Sequence, residues 1–185
     1  MRYDSPMVFV DLETTGASAN SSRVLEVGLH RVENLELVKS YETLVNPEEF
    51  IPSFITQLTG IQDDHVTWSP TFKEISSELK QLLSGATFVA HNVGFDYSFL
   101  HKEFKNCGIS FNPQKLCTVK LSRSLYPQFR RHNLDSLIAR HGFRIESRHR
   151  ASDDALVLWK FYQKILRTFD IDTINSVLRS QIPSS

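Results

Sequence analysis

The sequence predicts a single α/β domain with a mixed central sheet, and three observations carry this prediction. Three consecutive segments near the N-terminus have partly alternating apolar residues and short connections, which is typical of an antiparallel meander. A fourth short apolar segment then lies between two segments with helical spacing, so helices are expected to cover the sheet. The length of 185 residues is typical of one domain, and 41% hydrophobic residues are enough for a sizeable core.

Three strands are predicted in the first 45 residues. Residues 7–11 are continuously apolar up to an aspartate, which indicates a buried strand. Residues 24–32 and 35–45 alternate more clearly, and Glu33 and Asn34 between them predict a tight turn. The segment 16–22 is small and polar and is expected to be a loop.

Helices are predicted where apolar residues recur every three or four positions. Ser69 followed by Pro70 predicts an N-cap with proline at the first helical position, and Gly85 ends that helix. Asn133 and Ser152 are the predicted N-caps of two later helices. The predicted helical ranges are 53–59, 70–84, 93–106, 116–125, 133–140 and 153–169, with a final turn or two over 170–180. A strand is predicted over 87–90, and a further parallel strand is an alternative near 111–118.

Composition excludes some classes of protein. The sequence contains no run of about 18 apolar residues, so neither a membrane span nor a membrane partner is expected. The first residues lack the pattern of a secretory signal, and the only two cysteines, Cys107 and Cys117, are expected to be reduced thiols. A cytoplasmic protein is therefore predicted.

Charge is distributed unevenly although the net charge is zero. Residues 1–115 carry 9 Lys and Arg against 15 Asp and Glu, whereas residues 120–150 carry 8 against 2. The basic segment is either a solvated face or a track for a phosphate backbone. Its members are Lys120, Arg123, Arg130, Arg131, Arg140, Arg144, Arg148 and Arg150.

Three short motifs contain carboxylates at the edges of apolar segments. Asp11 and Glu13 are two residues apart, so on a strand both point to one face, and such a pair suits a hard divalent cation. Asp96 follows the predicted strand 87–90 in the first turn of a helix, where a carboxylate also serves as a cap. His149 precedes Asp154 by five residues, so a loop histidine and a helical aspartate could reach one cavity. Each motif alone also has a purely structural explanation.

The three motifs together are more specific. The order D-x-E-T-T-G, H-N-x-x-F-D and H-x-A-x-x-D resembles the DEDDh family of 3′–5′ exonucleases, the DnaQ-like group that is similar to the proofreading epsilon subunit of bacterial DNA polymerase III. The resemblance covers residues 8 to about 162. It implies a ribonuclease H-like fold, with a core at about 7–169 and a short C-terminal extension over 170–185.

The resemblance also implies the chemistry. It implies two divalent cations, Mg²⁺ or Mn²⁺, with Asp11 shared between both ions, Glu13 and Asp154 completing one and Asp96 supporting the other. His149 would take the proton from the attacking water. The product would be a nucleoside 5′-monophosphate released from a 3′ end, with single-stranded or frayed DNA as the favoured substrate. The residues expected at the terminal nucleotide are Leu12, Thr14, Thr15, Leu58, Asn92 and Phe95.

Two alternatives remain open at this point. The motifs do not separate DNA from RNA, so a ribonuclease that trims RNA 3′ ends is one alternative. An inactive subunit that docks on a polymerase is another. A polymerase partner is expected to be doubtful, because no long tail follows the last predicted helix.

Overall fold

The computed structural model describes residues 2–145 and 147–182, so the ends of the predicted domain 1–185 lie outside the described residues. The described chain forms five strands and eight helices. The strands are β1 (Met7–Thr14), β2 (Val24–Glu33), β3 (Glu36–Leu44), β4 (Thr87–Ala90) and β5 (Lys115–Cys117). The helices are α1 (Ser53–Thr59), α2 (Asp63–Val66), α3 (Phe72–Leu83), α4 (Gly94–Asn106), α5 (Thr118–Leu125), α6 (Leu134–His141), α7 (Ala151–Thr168) and α8 (Ile171–Gln181).

The strands form one mixed sheet in the order β3-β2-β1-β4-β5. The pairs β1–β2 and β2–β3 are antiparallel, as the short connections predict. The pairs β1–β4 and β4–β5 are parallel. The first strand is therefore central, with an antiparallel neighbour on one side and a parallel neighbour on the other. The predicted mixed sheet is confirmed.

The pleat of β1 directs alternate residues into two cores. Met7 and Phe9 pack in the core that contains α7, where the Phe9 ring lies 5.4 Å from Trp159 and 5.9 Å from Tyr162 between ring centroids. Val8, Val10 and Leu12 pack against α3 and α4 on the opposite face. Odd-numbered positions of β1 thus face α7, which decides where the carboxylates that follow Phe9 will point.

Several predicted boundaries differ from the structure. Thr71, not Ser69, is the N-cap of α3, because Thr71 and Glu74 form a capping box in which the Glu74 carboxylate accepts from the Thr71 N–H at 2.7 Å. Leu35 belongs to the turn rather than to the third strand. Asn34 and Leu35 have φ values of +51° and +64°, as a type I′ hairpin requires.

The C-terminal half shows further differences. The segment predicted as a helix over 116–125 begins as strand β5 and becomes α5 at Thr118, so both alternatives were partly right. Arg150, not Ser152, is the N-cap of α7, and α8 is three turns long rather than one or two. The short helix α2 was not predicted. Among the described residues, none of the helices combines the length and apolarity that crossing a bilayer requires.

Candidate active site

Two carboxylates lie on the central strand and share one face. Asp11 and Glu13 occupy odd-numbered positions near the carboxyl end of β1, so their side chains point to the side of the sheet covered by α7. The register pairs them with Gly28 and Glu26 of β2. The strand pattern alone therefore brings two acidic groups to the sheet edge where α7 begins.

A third carboxylate comes from the opposite helical layer. Asp96 lies in the first turn of α4, just after β4, and is only 3% exposed. Burial raises the pKa of the Asp96 carboxyl to about 8, against the opposing effect of hydrogen bonds from the backbone N–H groups of Asp96 and Leu12. The Leu12 contact ties the start of α4 to β1 between the two strand carboxylates.

The start of α7 supplies the remaining two groups. Glu13, His149 and Asp154 each offer a ligand atom, and these atoms lie within 4.8 Å of one another. Asp154 is buried in the first turn of α7. His149 precedes the helix with φ of +59°, a left-handed conformation that few residues other than glycine adopt. The loop backbone thus holds the imidazole beside the carboxylates of Glu13 and Asp154. The charges of Glu13, Asp96 and Asp154 act on Asp11, so the five predicted catalytic side chains lie in one region of the fold.

A close approach between β2 and α7 sets this arrangement. A Cβ atom at Gly28 would overlap the backbone atoms of Ala151 and Ser152. Only glycine allows the first turn of α7 to lie directly on the strand beside Asp11. The sequence contains no local sign of this requirement, since it arises from the tertiary contact.

Replacing Gly28 by alanine is expected to destabilise the fold by about 3 kcal/mol or more, because the added methyl group meets rigid backbone rather than a flexible side chain. Chemical unfolding measures the change. Gly94→Ala is the matched control, because a Cβ there meets no atom within 4 Å and the Gly94 φ is not positive. Equal stabilities for the two variants would contradict the close approach.

An internal ion pair also positions the start of α7, and the sequence analysis missed it. Glu26 is only 2% exposed. Its Oε1 accepts hydrogen bonds from Arg150 Nε at 2.9 Å and from Arg150 Nη2 at 2.7 Å. Its Oε2 accepts a hydrogen bond from the Ala151 N–H at 2.9 Å. Glu26 therefore holds the backbone on the C-terminal side of His149. The sequence signal for this ion pair was the position of Glu26 within the apolar strand β2, because a buried glutamate requires a partner.

Arg148 is the second positioning group that sequence reasoning did not single out. Its guanidinium donates to Asp154 Oδ2 and, through Nε, to Asp135 Oδ1 at 2.8 Å. This arginine therefore brings a positive charge into contact with the cluster of carboxylates. Arg148 was predicted only as a member of the basic segment.

The electrostatics of the carboxylate cluster favour the binding of cations. Burial is the largest cause of a raised pKa in all four carboxylates, Asp11, Glu13, Asp96 and Asp154. For Asp11 the charges of the other three add to the effect, and the pKa of Glu13 rises to about 7. Divalent cations would reverse these shifts, because they stabilise the ionised form.

One oxygen atom independently indicates that the cluster suits a divalent cation. Asp154 Oδ1 is buried and has no hydrogen-bond partner among the described residues. Leaving such an atom unsatisfied is costly, and carboxylate oxygens are the ligands that Mg²⁺ and Mn²⁺ prefer. The side chains present therefore fit a hard divalent cation.

These shifts predict how stability depends on pH when cations are removed. The carboxyl groups have pKa values near 4 in an unfolded chain but about 7 for Glu13 and about 8 for Asp96 in the fold. Between about pH 4 and 8 the folded state binds more protons, so stability should fall as pH rises. In chelator, thermal unfolding should show this fall, and Asp96→Asn should reduce it. Asp64→Asn is the exposed control. If the stability of Asp96→Asn falls with rising pH as steeply as that of Asp64→Asn, the raised pKa of Asp96 is contradicted.

The residues predicted at the terminal nucleotide differ in their exposure and their contacts. Leu12 is buried; the Thr14 hydroxyl donates to Gly16 O at 2.8 Å, and the Thr15 hydroxyl donates to Glu49 at 2.6 Å. These two hydroxyl groups thus hold the loop after β1.

The other three predicted substrate contacts are more accessible. Leu58 is half exposed on α1, and Asn92 is exposed with φ of +67°. Phe95 is partly buried, and its ring centroid lies 5.0 Å from that of Phe99. Their contacts with substrate stay a prediction.

Comparison with known proteins agrees with the geometry. The sequence profile of the exonuclease family RNase_T matches residues 8–162. A 3′-5′ exonuclease DinG of Staphylococcus haemolyticus is 36% identical over 173 residues, which cover 91% of this chain and 19% of that protein. A DNA polymerase III of PolC type from Caldanaerobacter subterraneus is 34% identical over 181 residues, which cover 95% of this chain and 13% of that protein.

A solved structure shows the same fold at low sequence identity. E. coli exonuclease I in complex with a dA16 oligonucleotide superposes with a TM-score of 0.82 at 14% identity, over 95% of this chain and 43% of that chain. The ribonuclease H-like fold is thereby confirmed. The present chain spans a fifth or less of the length of the two curated relatives. With most of its length matched by the family profile and its fold shared, the chain belongs to the RNase_T exonuclease family.

Proposed function

We propose that this chain is a 3′–5′ exonuclease that depends on two divalent cations, Mg²⁺ or Mn²⁺. It hydrolyses the phosphodiester bond at nucleic-acid 3′ ends and releases nucleoside 5′-monophosphates, with single-stranded or frayed DNA as the favoured substrate. The observation that carries the proposal is the convergence of Glu13, His149 and Asp154 beside Asp11 and Asp96 in a chain of this family.

Four carboxylates are the proposed ligands of the cations, namely Asp11, Glu13, Asp96 and Asp154. When bound, divalent cations in such a site supply an activated water and stabilise negative charge on the leaving oxygen. His149 is the proposed general base, and it accepts the proton of the attacking water at a ring nitrogen. The Glu26–Arg150 ion pair keeps the following backbone fixed, so the imidazole keeps its direction toward the carboxylates.

Leu58, Phe95 and Asn92 supply the proposed side-chain contacts with substrate. Leu58 and Phe95 offer apolar surface that tolerates any base, since stacking does not read the base edge. Asn92 offers an amide to sugar or phosphate. The backbones of Leu12, Thr14 and Thr15 line the end of β1, where the terminal nucleotide is proposed to lie.

The proposal extends to the context of the chain. We infer a single exonuclease unit with its core at about 7–169, and a cytoplasmic location, which the free thiols of Cys107 and Cys117 support. A polymerase partner is a further candidate, since one relative is a DNA polymerase of PolC type.

The function is tested by following 3′-labelled and 5′-labelled oligonucleotides, single-stranded, duplex and mismatched, with Mg²⁺ and with chelator. The 3′ label should appear first as a nucleoside 5′-monophosphate, only with Mg²⁺, and fastest from single strands. Matched RNA oligomers in the same series decide between DNA and RNA, because that choice depends on contacts to the 2′-hydroxyl. An absence of cleavage from every substrate, with the protein folded, would favour the docking role instead.

A further inference from the structure

A cleft beside the active site has the character of an anion site. It has a volume of about 430 Å³ and lies at the ends of β4 and β5 and along the start of α5. We call it the basic cleft. Its polar lining residues are His91, Asn92, Lys120, Arg123, His132 and Asn133.

The basic cleft is close to the proposed scissile bond. The parallel register pairs Phe9 of β1 with Val89 of β4, and two residues further along each chain come Asp11 and His91. Because β4 lies next to β1 and β5 lies next to β4, all three parallel, the cleft at the carboxyl ends of β4 and β5 lies on the same edge of the sheet as Asp11. The cleft is thus next to the carboxyl end of β1, where the terminal nucleotide is proposed to lie.

Within the part of the chain that the structure describes, the two cations of the cleft have no carboxylate partner. Lys120 and Arg123 are exposed, and neither forms an ion pair within residues 2–145 and 147–182. By contrast, Arg148 and Arg150 are both paired with carboxylates. No carboxylate is among the described lining residues. A cationic cleft without an internal counter-ion favours an anionic ligand.

The walls of the cleft are held in place by internal hydrogen bonds. His132 bonds through Nδ1 to the Ser122 hydroxyl at 2.8 Å and through Nε2 to the Phe129 carbonyl at 2.9 Å. His91 Nδ1 lies 2.9 Å from the Thr118 hydroxyl. Both ring nitrogens of His132 are therefore occupied with the protein, whereas His91 is held through Nδ1 and its buried Nε2 has no hydrogen-bond partner among the described residues. The two cations are left to meet a ligand.

Asn133 adds a donor to the cleft. Its side-chain oxygen caps α6 by accepting from the Ser136 N–H at 3.3 Å, so its amide nitrogen remains a donor. Two flexible cations with an amide donor suit the oxygens of phosphodiester groups better than they suit an apolar or base-specific ligand.

We propose that the basic cleft binds the phosphodiester groups of the substrate strand immediately upstream of the terminal nucleotide, through Lys120 and Arg123. This inference rests on the proposed function, because the role of the cleft follows from its position on the sheet edge that carries Asp11. It makes the basic cleft the part of the site that distinguishes a nucleic-acid strand from a mononucleotide.

The test compares a short and a long substrate in the double variant Lys120→Gln, Arg123→Gln. The p-nitrophenyl ester of thymidine 5′-monophosphate has no upstream phosphodiester, whereas dT8 has several. The ratio of kcat/KM for dT8 to kcat/KM for the ester should fall about tenfold. The control Lys39→Gln, Lys73→Gln removes two exposed cations from other surfaces and should keep the wild-type ratio. An equal ratio in both double variants would overturn the proposal.

A binding measurement separates failure of the cleft from failure of the proposed function. Affinity for labelled dT8 is measured in chelator over a range of salt, which needs no catalysis. Two phosphate contacts contribute about 1.4 to the slope of log K against log salt for a single strand, so the variant slope should be smaller by about that amount. An unchanged slope would refute the cleft proposal, even if the wild-type chain cleaves nothing. A loss seen only with duplexes, and not with dT8, would assign the cleft to the complementary strand and also overturn the proposal.

Discussion

Asp11→Asn is expected to lower kcat for release of the 3′-terminal nucleotide by about 10³-fold. Asp11 is central to the cluster, since the charges of Asp96, Asp154 and Glu13 all act on its pKa. Asparagine keeps the size of the side chain but cannot supply the anionic oxygen that a hard cation requires. Several kcal/mol of charge stabilisation are at stake in a metal-dependent transition state, and about 4 kcal/mol corresponds to a factor of 10³.

The same variant should not lose stability. Burial and the three neighbouring charges raise the pKa of Asp11, so its ionised form is unfavourable in the fold without cations. In chelator, Asp11→Asn is therefore expected to melt at the wild-type temperature or above it. The exposed control Asp64→Asn should match the wild type in both rate and melting temperature. Wild-type rates in Asp11→Asn would contradict the proposed mechanism, and a large loss of stability would show that Asp11 has a structural role.

The second large effect is expected at His149. Removing a general base costs about 10²- to 10⁴-fold in rate, so His149→Gln should lower kcat within that range while leaving KM similar. His65→Gln is the control, because His65 is exposed on the short helix α2. Single-turnover digestion of 3′-labelled DNA measures the effect on the chemical step.

Metal affinity distinguishes two roles for this histidine. His149 lies within 4.8 Å of Glu13 and Asp154 when measured between ligand atoms, so it could act as a ligand instead of a base. If His149 is the general base, the His149→Gln variant should bind Mn²⁺ as tightly as the wild type. If Mn²⁺ affinity and rate fall together in calorimetry, His149 is a ligand and the assignment as a base is wrong.

The parts of the fold that follow from local patterns were predictable. Alternation placed Asp11 and Glu13 on one face of β1, and the N-cap at Asn133 forms the expected bond to Ser136. The antiparallel pairing of β1, β2 and β3 followed from the short connections between these strands. These features depend on residues that are close in sequence, where periodicity and capping chemistry act.

The parts that depend on contacts distant in sequence were not predictable. Gly28 is required because the backbone of α7 approaches it from more than 120 positions away, and Glu26 meets Arg150 over a similar separation. Arg148 and Asp154 are only six positions apart, but their contact depends on the loop conformation before α7, which includes the positive φ of His149. Two candidate N-termini lay close together before α3. The helix begins after the capping box of Thr71 and Glu74 rather than after Ser69 and Pro70.

The most direct measurement is a crystal structure of the protein with Mn²⁺ and a nucleoside 5′-monophosphate, with anomalous scattering used to locate the ions. Two manganese peaks among Asp11, Glu13, Asp96 and Asp154, with the nucleotide phosphate next to them and His149 unligated, are the predicted result. No peak at these carboxylates, or a single ion held by Glu13, His149 and Asp154, would contradict a two-cation exonuclease site.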